Sequence, residues 1–275
     1  MSASAVDSRT TLVALDGLKS ANFDAAKASE RLATGLRINR ASDDPAGAGK
    51  AAVLKSEINS FMQVKRNVNS ALTDISKVND GLNTISDYLV EMRTLAVAAN
   101  GESDSSVRTA YNTQFQALMT GINEIAASIK FGDTAVLSAA GSKDIQVGIG
   151  ATDKKSLAFT AVTSTALGIN ALALTTIANA ASALPVVVTA ISTVANRMAT
   201  IGGYESSLQN YSDLADSSIL SKTSQYGDIM NADLALEASN LAAAKIRQDA
   251  STAVLAQANS MNRNIADYLL NGTLG

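Results

Sequence analysis

The stretch ERLATGLRINRASDDPAGAGK, Glu30 to Lys50, decides how the rest of the chain is read. It has the grammar of a joint between two helices. Upstream, Leu15, Leu18, Asn22, Ala25, Ser29, Leu32 and Leu36 recur at alternating steps of three and four, the stripe of a helix packed along another helix. Gly35 offers a left-handed stop for that helix. Ser42-Asp43-Asp44-Pro45 then reads as a new start. A short acidic side chain accepts bonds from free helix N–H groups, and Pro45 suits the first helical position, where no N–H is needed.

Working outward, the sequence predicts a first amphipathic helix over residues 6–36. Its stripe mixes Leu with Ala, Asn and Ser, too little apolar surface to offset the entropy of ordering by itself. A second helix is expected from Pro45 to Asn100, marked by Ile58, Phe61, Val68, Leu72, Ile75, Leu82, Ile85, Leu89, Met92 and Ala96. At 1.5 Å per residue it is roughly 80 Å long, which argues for a rod rather than a globule. A third helix, 106–131, carries Tyr111, Phe115, Leu118, Ile122, Ile125 and Ile129, closes at Gly132 and should run antiparallel to the second. Alternation at Ile145, Val147, Ile149 and at Leu157, Phe159, Ala161 predicts a β-hairpin over 143–162, with GIGATDKK (148–155) as its turn.

Residues 156–196 carry no charge. Thr, Ser and Asn, with Gly168 and Pro185, interrupt the stretch. It therefore reads as a buried loop and a helix start rather than as a membrane span. A fourth helix is expected from Pro185, with Val187, Ile191, Val194, Met198, Ile201 and Leu208 as its stripe, a bend at Gly202-Gly203 and a break at Tyr226-Gly227. The last helix, 231–270, repeats the opening pattern through Leu241, Ala244, Gln248, Ser251, Leu255, Ala258, Asn262, Ile265 and Leu269. Two weak stripes of the same period imply that the chain's ends pair with each other and are completed by neighbouring copies. The expected fold is mainly α, an elongated rod of long antiparallel, coiled-coil-like helices with a small β-hairpin. A terminal domain (1–44 with 228–275) adjoins a rod domain (45–227).

Composition narrows the chemistry. The 275 residues are 47% hydrophobic and 4% aromatic, with 22 Lys+Arg against 25 Asp+Glu and a net charge of -3. Scattered basic residues exclude a concentrated nucleic-acid patch. With no His and no Cys, disulfides, Cys/His metal sites and His-based acid–base catalysis are impossible. Asp43-Asp44 reads as helix capping rather than as an acid/base pair, because adjacent residues do not face each other and no nucleophile is near. Asn67, Asn69, Asn79 and Asn83 read as polar spacers that set helix register. No cofactor and no enzymatic activity are expected.

SERLATGLRINRASDDPAG (29–47) resembles the N-terminal signature of bacterial flagellins. The likeness continues through LVEMRTLAVAAN (89–100) and residues 122–129, and returns in NADLALEASNLAAAKIRQDASTAVLAQANSMNRN (231–264). The resemblance implies a subunit of the flagellar filament, a self-assembling helical homopolymer for swimming. It also implies export through the flagellar secretion apparatus with a chaperone and without a cleaved signal, and an extracellular location beside hook-junction and cap proteins. A hook–filament junction adaptor, which shares the terminal helical pattern, is the alternative; NLAAAKIRQDASTAVLAQAN favours flagellin. A secreted enzyme, the third reading, would need the His-based zinc motif that the chain lacks.

By this resemblance Leu15, Leu18, Leu32, Leu36, Leu241, Leu255, Ile265 and Leu269 are assembly-interface residues, and Gly35, Asp43, Asp44 and Pro45 are the joint. The stretch 91–100 corresponds to a surface read by a vertebrate innate receptor. Arg93, Leu95 and Val97 match it, with Ala96. Glu91 and Thr94 depart from it, as does Ala117 on the next helix, so only weak receptor recognition is expected.

Overall fold

A computed structural model describes the backbone of residues 2–271 and the side chains of residue 9 and residues 11–264. In chain order the elements are α1 (Ser2–Thr34), α2 (Pro45–Gly101), α3 (Ser105–Ser128), β1 (Lys130–Phe131), β2 (Thr134–Ala135), β3 (Gly141–Gln146), β4 (Lys154–Phe159), α4 (Ile177–Met230) and α5 (Leu234–Asn271). The fold is mainly α, with two small antiparallel strand pairs, β1–β2 and β3–β4. The chain divides into two compact units, residues 57–221 and residues 1–56 with 222–275.

The unit of residues 57–221 has an aliphatic core. On α2, Val64, Val68, Ala71, Ile75, Val78, Leu82, Ile85, Leu89, Met92, Ala96 and Ala99 are all buried, at steps of four and three throughout. The row has coiled-coil periodicity, so each turn presents one knob to its neighbours. Phe115, Met119, Ile122 and Ala126 of α3 and Val187, Val194, Ile201 and Leu208 of α4 complete it. Both α3 and α4 run antiparallel to α2. Gly121 lies against Tyr88 and Gly81 against Ile129, while Lys65 pairs with Asp216 at 2.6 Å and Asn69 lies level with Ser212.

The uncharged segment begins in β4 and continues as a loop that buries Val162, Ser164, Leu167, Ile169 and Leu174 but leaves about half its residues exposed, so it is less buried than expected before it enters the helix; α3 supplies its polar partners. Asn123 exchanges two bonds with Ser164, Gln116 donates to the Leu172 carbonyl at 2.8 Å, and Asn112 accepts from the Leu174 N–H at 2.8 Å. Buried backbone groups need such partners, and here one helix face provides them. The β3–β4 hairpin closes around Asp153, whose carboxylate accepts from Gly150 N–H at 2.8 Å. Gly148 and Gly150 are required there, since a Cβ at either would strike that side chain. Phe159 bridges Phe131 and Tyr204, tying the hairpin to β1 and α4.

Several boundaries differ from the sequence reading. The hairpin spans Gly141–Phe159, not 143–162, and Ile149 falls in its turn. The two-residue pair β1–β2 around Gly132 (φ 61°) is an addition. The fourth helix begins at Ile177, eight residues before Pro185, and continues without a break at Tyr226-Gly227. Thr176 is its cap, its hydroxyl accepting from Asn179 N–H. Pro185 is tolerated because it and Ala181, whose carbonyl loses its helical donor, are both exposed to water. This helix also contains a stretch long and apolar enough to cross a membrane. Ala180, Ala183, Val187, Ala190 and Val194 on that stretch belong to the core just described.

Candidate assembly surface of the paired termini

In the unit of residues 1–56 and 222–275, α1 and α5 pack antiparallel along their length. Ala14, Ala21 and Ala28 of α1 are buried, with Thr11, Leu18, Ala25 and Leu32 half-buried between them. Facing them, Glu237, Ala244 and Ala258 are buried and Leu241, Gln248, Ser251 and Leu255 half-buried. Leu241, Leu255, Ala244 and Ala258 therefore occupy the seam as expected. On α1 the seam is rotated by one position from the predicted stripe. Leu18, Ala25 and Leu32 lie in it, but Leu15, Asn22 and Ser29 are exposed. The cause is size: small side chains let two backbones approach closely, so alanine takes the centre and the leucines flank it. The side chains of Ile265 and Leu269 lie outside the described residues.

The exposed faces of the pair carry several large apolar side chains among polar and charged ones. On α1, Leu12, Val13 and Phe23 are 65%, 72% and 67% exposed, and Leu15 joins them. On α5, Ile246 is exposed opposite the seam, and Val254 and Met261 are exposed at its flank. Ion pairs flank the seam: Arg31 to Glu237 at 2.7 Å and Arg247 to Asp24 at 3.0 Å.

The joint is built by the residues the sequence singled out. Gly35 has φ 70° and donates its N–H to the Arg31 carbonyl, ending α1 before Leu36. Leu36 has left the helix and forms a β-bridge with Asn231. The two aspartates divide the work. Asp44 caps α2, accepting from Gly47 N–H at 2.9 Å, with Pro45 as the first helical residue. Asp43 serves the preceding turn, accepting from the N–H groups of Arg40 and Asn39. Those bonds, that of Arg40 foremost, hold its carboxyl below the usual carboxylate range.

Sequence reasoning missed Arg37. Its backbone N–H donates to the Met230 carbonyl at 2.6 Å and its guanidinium to the Ile229 carbonyl at 2.8 Å. A cation at the carboxyl end of α4 satisfies carbonyls that the helix leaves open and complements its dipole. Ala232 N–H returns a bond to the Gly35 carbonyl. The available signal was the run Gly-Leu-Arg directly after a helix stop, but the partner lies 192 residues away.

Arg93 and Val97 are exposed on α2, whereas Leu95 packs against the core of its unit. Among the described residues no group of three or more carboxylates is placed to hold a metal ion.

Two family models match the chain: the bacterial flagellin N-terminal helical region over residues 9–142 and the bacterial flagellin C-terminal helical region over residues 184–269. A flagellin of Halalkalibacterium halodurans is 28% identical over 247 residues, covering 88% of this chain and 91% of its own. The flagellar filament core protein flaB2 of Brachyspira hyodysenteriae is 26% identical over 263 residues, covering 90% and 92%. A flagellar hook-associated protein from Vibrio parahaemolyticus superposes with a TM-score of 0.59 at 16% identity, over 69% of this chain and all of that one, a likeness of fold alone. With matched helical regions at both ends and only residues 143–183 between them, the chain belongs to the bacterial flagellin family.

Proposed function

We propose that this chain builds the extracellular flagellar filament through the outer faces of its paired terminal helices. As a flagellin it belongs to a family of structural, self-assembling filament subunits. The observation that carries the finer reading is the contrast between the alanine seam and the large apolar side chains left outside it. Phe23 and Leu12 leave about two thirds of their surface, and Val254 about half, exposed within one chain. Burial against neighbouring copies would release about 25 cal/mol per Å² of apolar surface. Leu15 belongs with these outer residues, while Leu18, Leu32, Leu241 and Leu255 hold the pair that presents them, and Leu36 ties it to the joint.

In this reading the terminal segments 1–44 and 228–275 line the inner tube and residues 45–227 form the surrounding layer. A contact between unlike faces that does not close on itself propagates as an open helix. Export follows the flagellar secretion route, chaperone-assisted and without cleavage of a signal, and hook-junction and cap proteins contact the same terminal helices. Innate-receptor recognition through Arg93, Leu95 and Val97 is weak, because Glu91 and Thr94 replace matching residues and Leu95 is engaged by its own core. Reporter cells exposed to purified subunit should respond little; strong activation would overturn this.

Electron microscopy before and after adding a precipitating salt tests the assembly reading. Wild-type subunits should form long uniform filaments. Leu255→Asp should form none while residues 57–221 stay folded; normal filaments from that variant would overturn the proposal.

A further inference from the structure

The buried alanine line of the α1–α5 seam is nearly self-similar under a shift of one heptad, although the half-buried row beside it, Leu18, Ala25 and Leu32 with Leu241, Gln248 and Leu255, is not. Ala14, Ala21 and Ala28 are seven residues apart, as are Glu237, Ala244, Ser251 and Ala258, so a slipped pairing still sets alanine beside alanine or serine. Small-residue seams of this kind specify register weakly. The alanine line alone does not distinguish the observed register from its neighbours; the joint bonds hold one end of the pair, and register along the helices needs side chains that differ from heptad to heptad.

The flanking charges differ in this way. Asp24 and Arg31 stand seven residues apart on α1 and have opposite signs. Arg31 meets Glu237, whose side chain is only 7% exposed, and Asp24 meets Arg247. Slide α5 by one heptad in one direction, and Glu237 reaches Asp24 with the geometry it now has to Arg31. Slide it in the other, and Arg247 reaches Arg31 with the geometry it now has to Asp24. Each slip breaks both attractive pairs and creates one like-charge contact. We propose that Asp24, Arg31, Glu237 and Arg247 form a charge code that fixes the register of the terminal helices by penalising one-heptad slips in both directions. The inference concerns the fold of a single chain and does not depend on polymerisation.

The code can be inverted without changing composition. Exchanging two residues, Asp24→Arg with Arg31→Asp, makes the observed register repulsive at both pairs and either slip attractive at one. Because the chain has no cysteine, register can be read by engineered disulfides. Gly17, whose added Cβ would lie 3.3 Å from the Ser251 hydroxyl, reports the observed register as a Gly17→Cys, Ser251→Cys pair. Gly17→Cys with Ala244→Cys or with Ala258→Cys reports the two slips. Intra-chain crosslinks are measured by mass spectrometry on the full-length protein.

With the native charges the 17/251 crosslink should exceed the other two by roughly tenfold, about the preference that the loss of one half-exposed and one largely buried pair implies. The exchange should move crosslinking to 17/244 or 17/258. Adding Glu237→Arg with Arg247→Glu restores both pairs with reversed polarity and should return it to 17/251. Retention of 17/251 after the exchange would overturn the proposal, since the joint bonds alone would then fix register. Equal crosslinking with native charges, or loss of all three crosslinks without rescue by the fourfold variant, would overturn it too.

Discussion

The two units of this chain build their enclosed cores from side chains of different size. In residues 57–221 the core holds large ones, with Phe115, Ile75, Leu82, Ile85 and Leu89 fully enclosed, although Leu214 and Leu220 stay exposed. In the terminal unit the enclosed residues are mostly alanines, and Phe23, Leu12 and Ile246 point outward. The first unit encloses a continuous row of large aliphatic side chains within one chain, and the second encloses a line of alanines; under the proposed function, its outward residues meet neighbouring copies. Net hydrophobicity barely separates them; what differs is the size of the residue placed at the buried positions of the same heptad.

The sharpest way to break this contrast is to cut a large side chain from each side. Phe115→Ala leaves a cavity at the centre of α3's buried face and should cost about 3–5 kcal/mol of monomer stability, read by thermal unfolding of soluble subunits. Phe23→Ser should change that same melt by no more than ~0.5 kcal/mol, as an exposed site does. It should instead weaken assembly by on the order of 2 kcal/mol per subunit, raising the critical concentration for filaments roughly thirtyfold by sedimentation. If Phe23→Ser destabilised the monomer as Phe115→Ala does, the division between the units would fail.

Smaller changes sharpen the comparison at the joint. Asp44→Ala removes the cap of α2 and should cost about 1 kcal/mol, with Asp44→Asn largely neutral because an amide oxygen still accepts from Gly47 N–H. The smallest effect concerns Asp43. Its carboxyl titrates below the ordinary value because its anion is bonded to Arg40 and Asn39 N–H groups. A depressed folded-state pKa adds stability above the unfolded-state pKa, near 3.9, and that contribution is lost as pH falls through the folded one. Asp43→Asn should flatten this acid limb in a pH series of melts, leaving stability at neutral pH within the range of an exposed site.

These differences also explain what the sequence made legible. The joint could be read residue by residue because Gly35, Asp44 and Pro45 act within four positions of themselves. The long stripes of α2 and α4 were legible because large aliphatic residues mark a buried face. The α1 seam was misplaced by one position because leucine was taken as the centre where close-packed alanines hold it. The start of α4 was misread because Pro185 resembles a helix opening, while the true cap, Thr176, is a common residue whose role shows only through Asn179. Arg37 and the α3 amides were invisible as partners because their acceptors lie far away in the chain.

The stitching of the two joints has a mechanical consequence. Leu36 and Asn231 bridge, Arg37 holds the end of α4, and Ala232 returns a bond to Gly35. The link entering α2 and the link leaving α4 are thus pinned to each other as well as to their own helices. A twist applied at the end of α1 is therefore passed through these bonds to the start of α5, so the two terminal helices respond to torsion as coupled strands rather than singly.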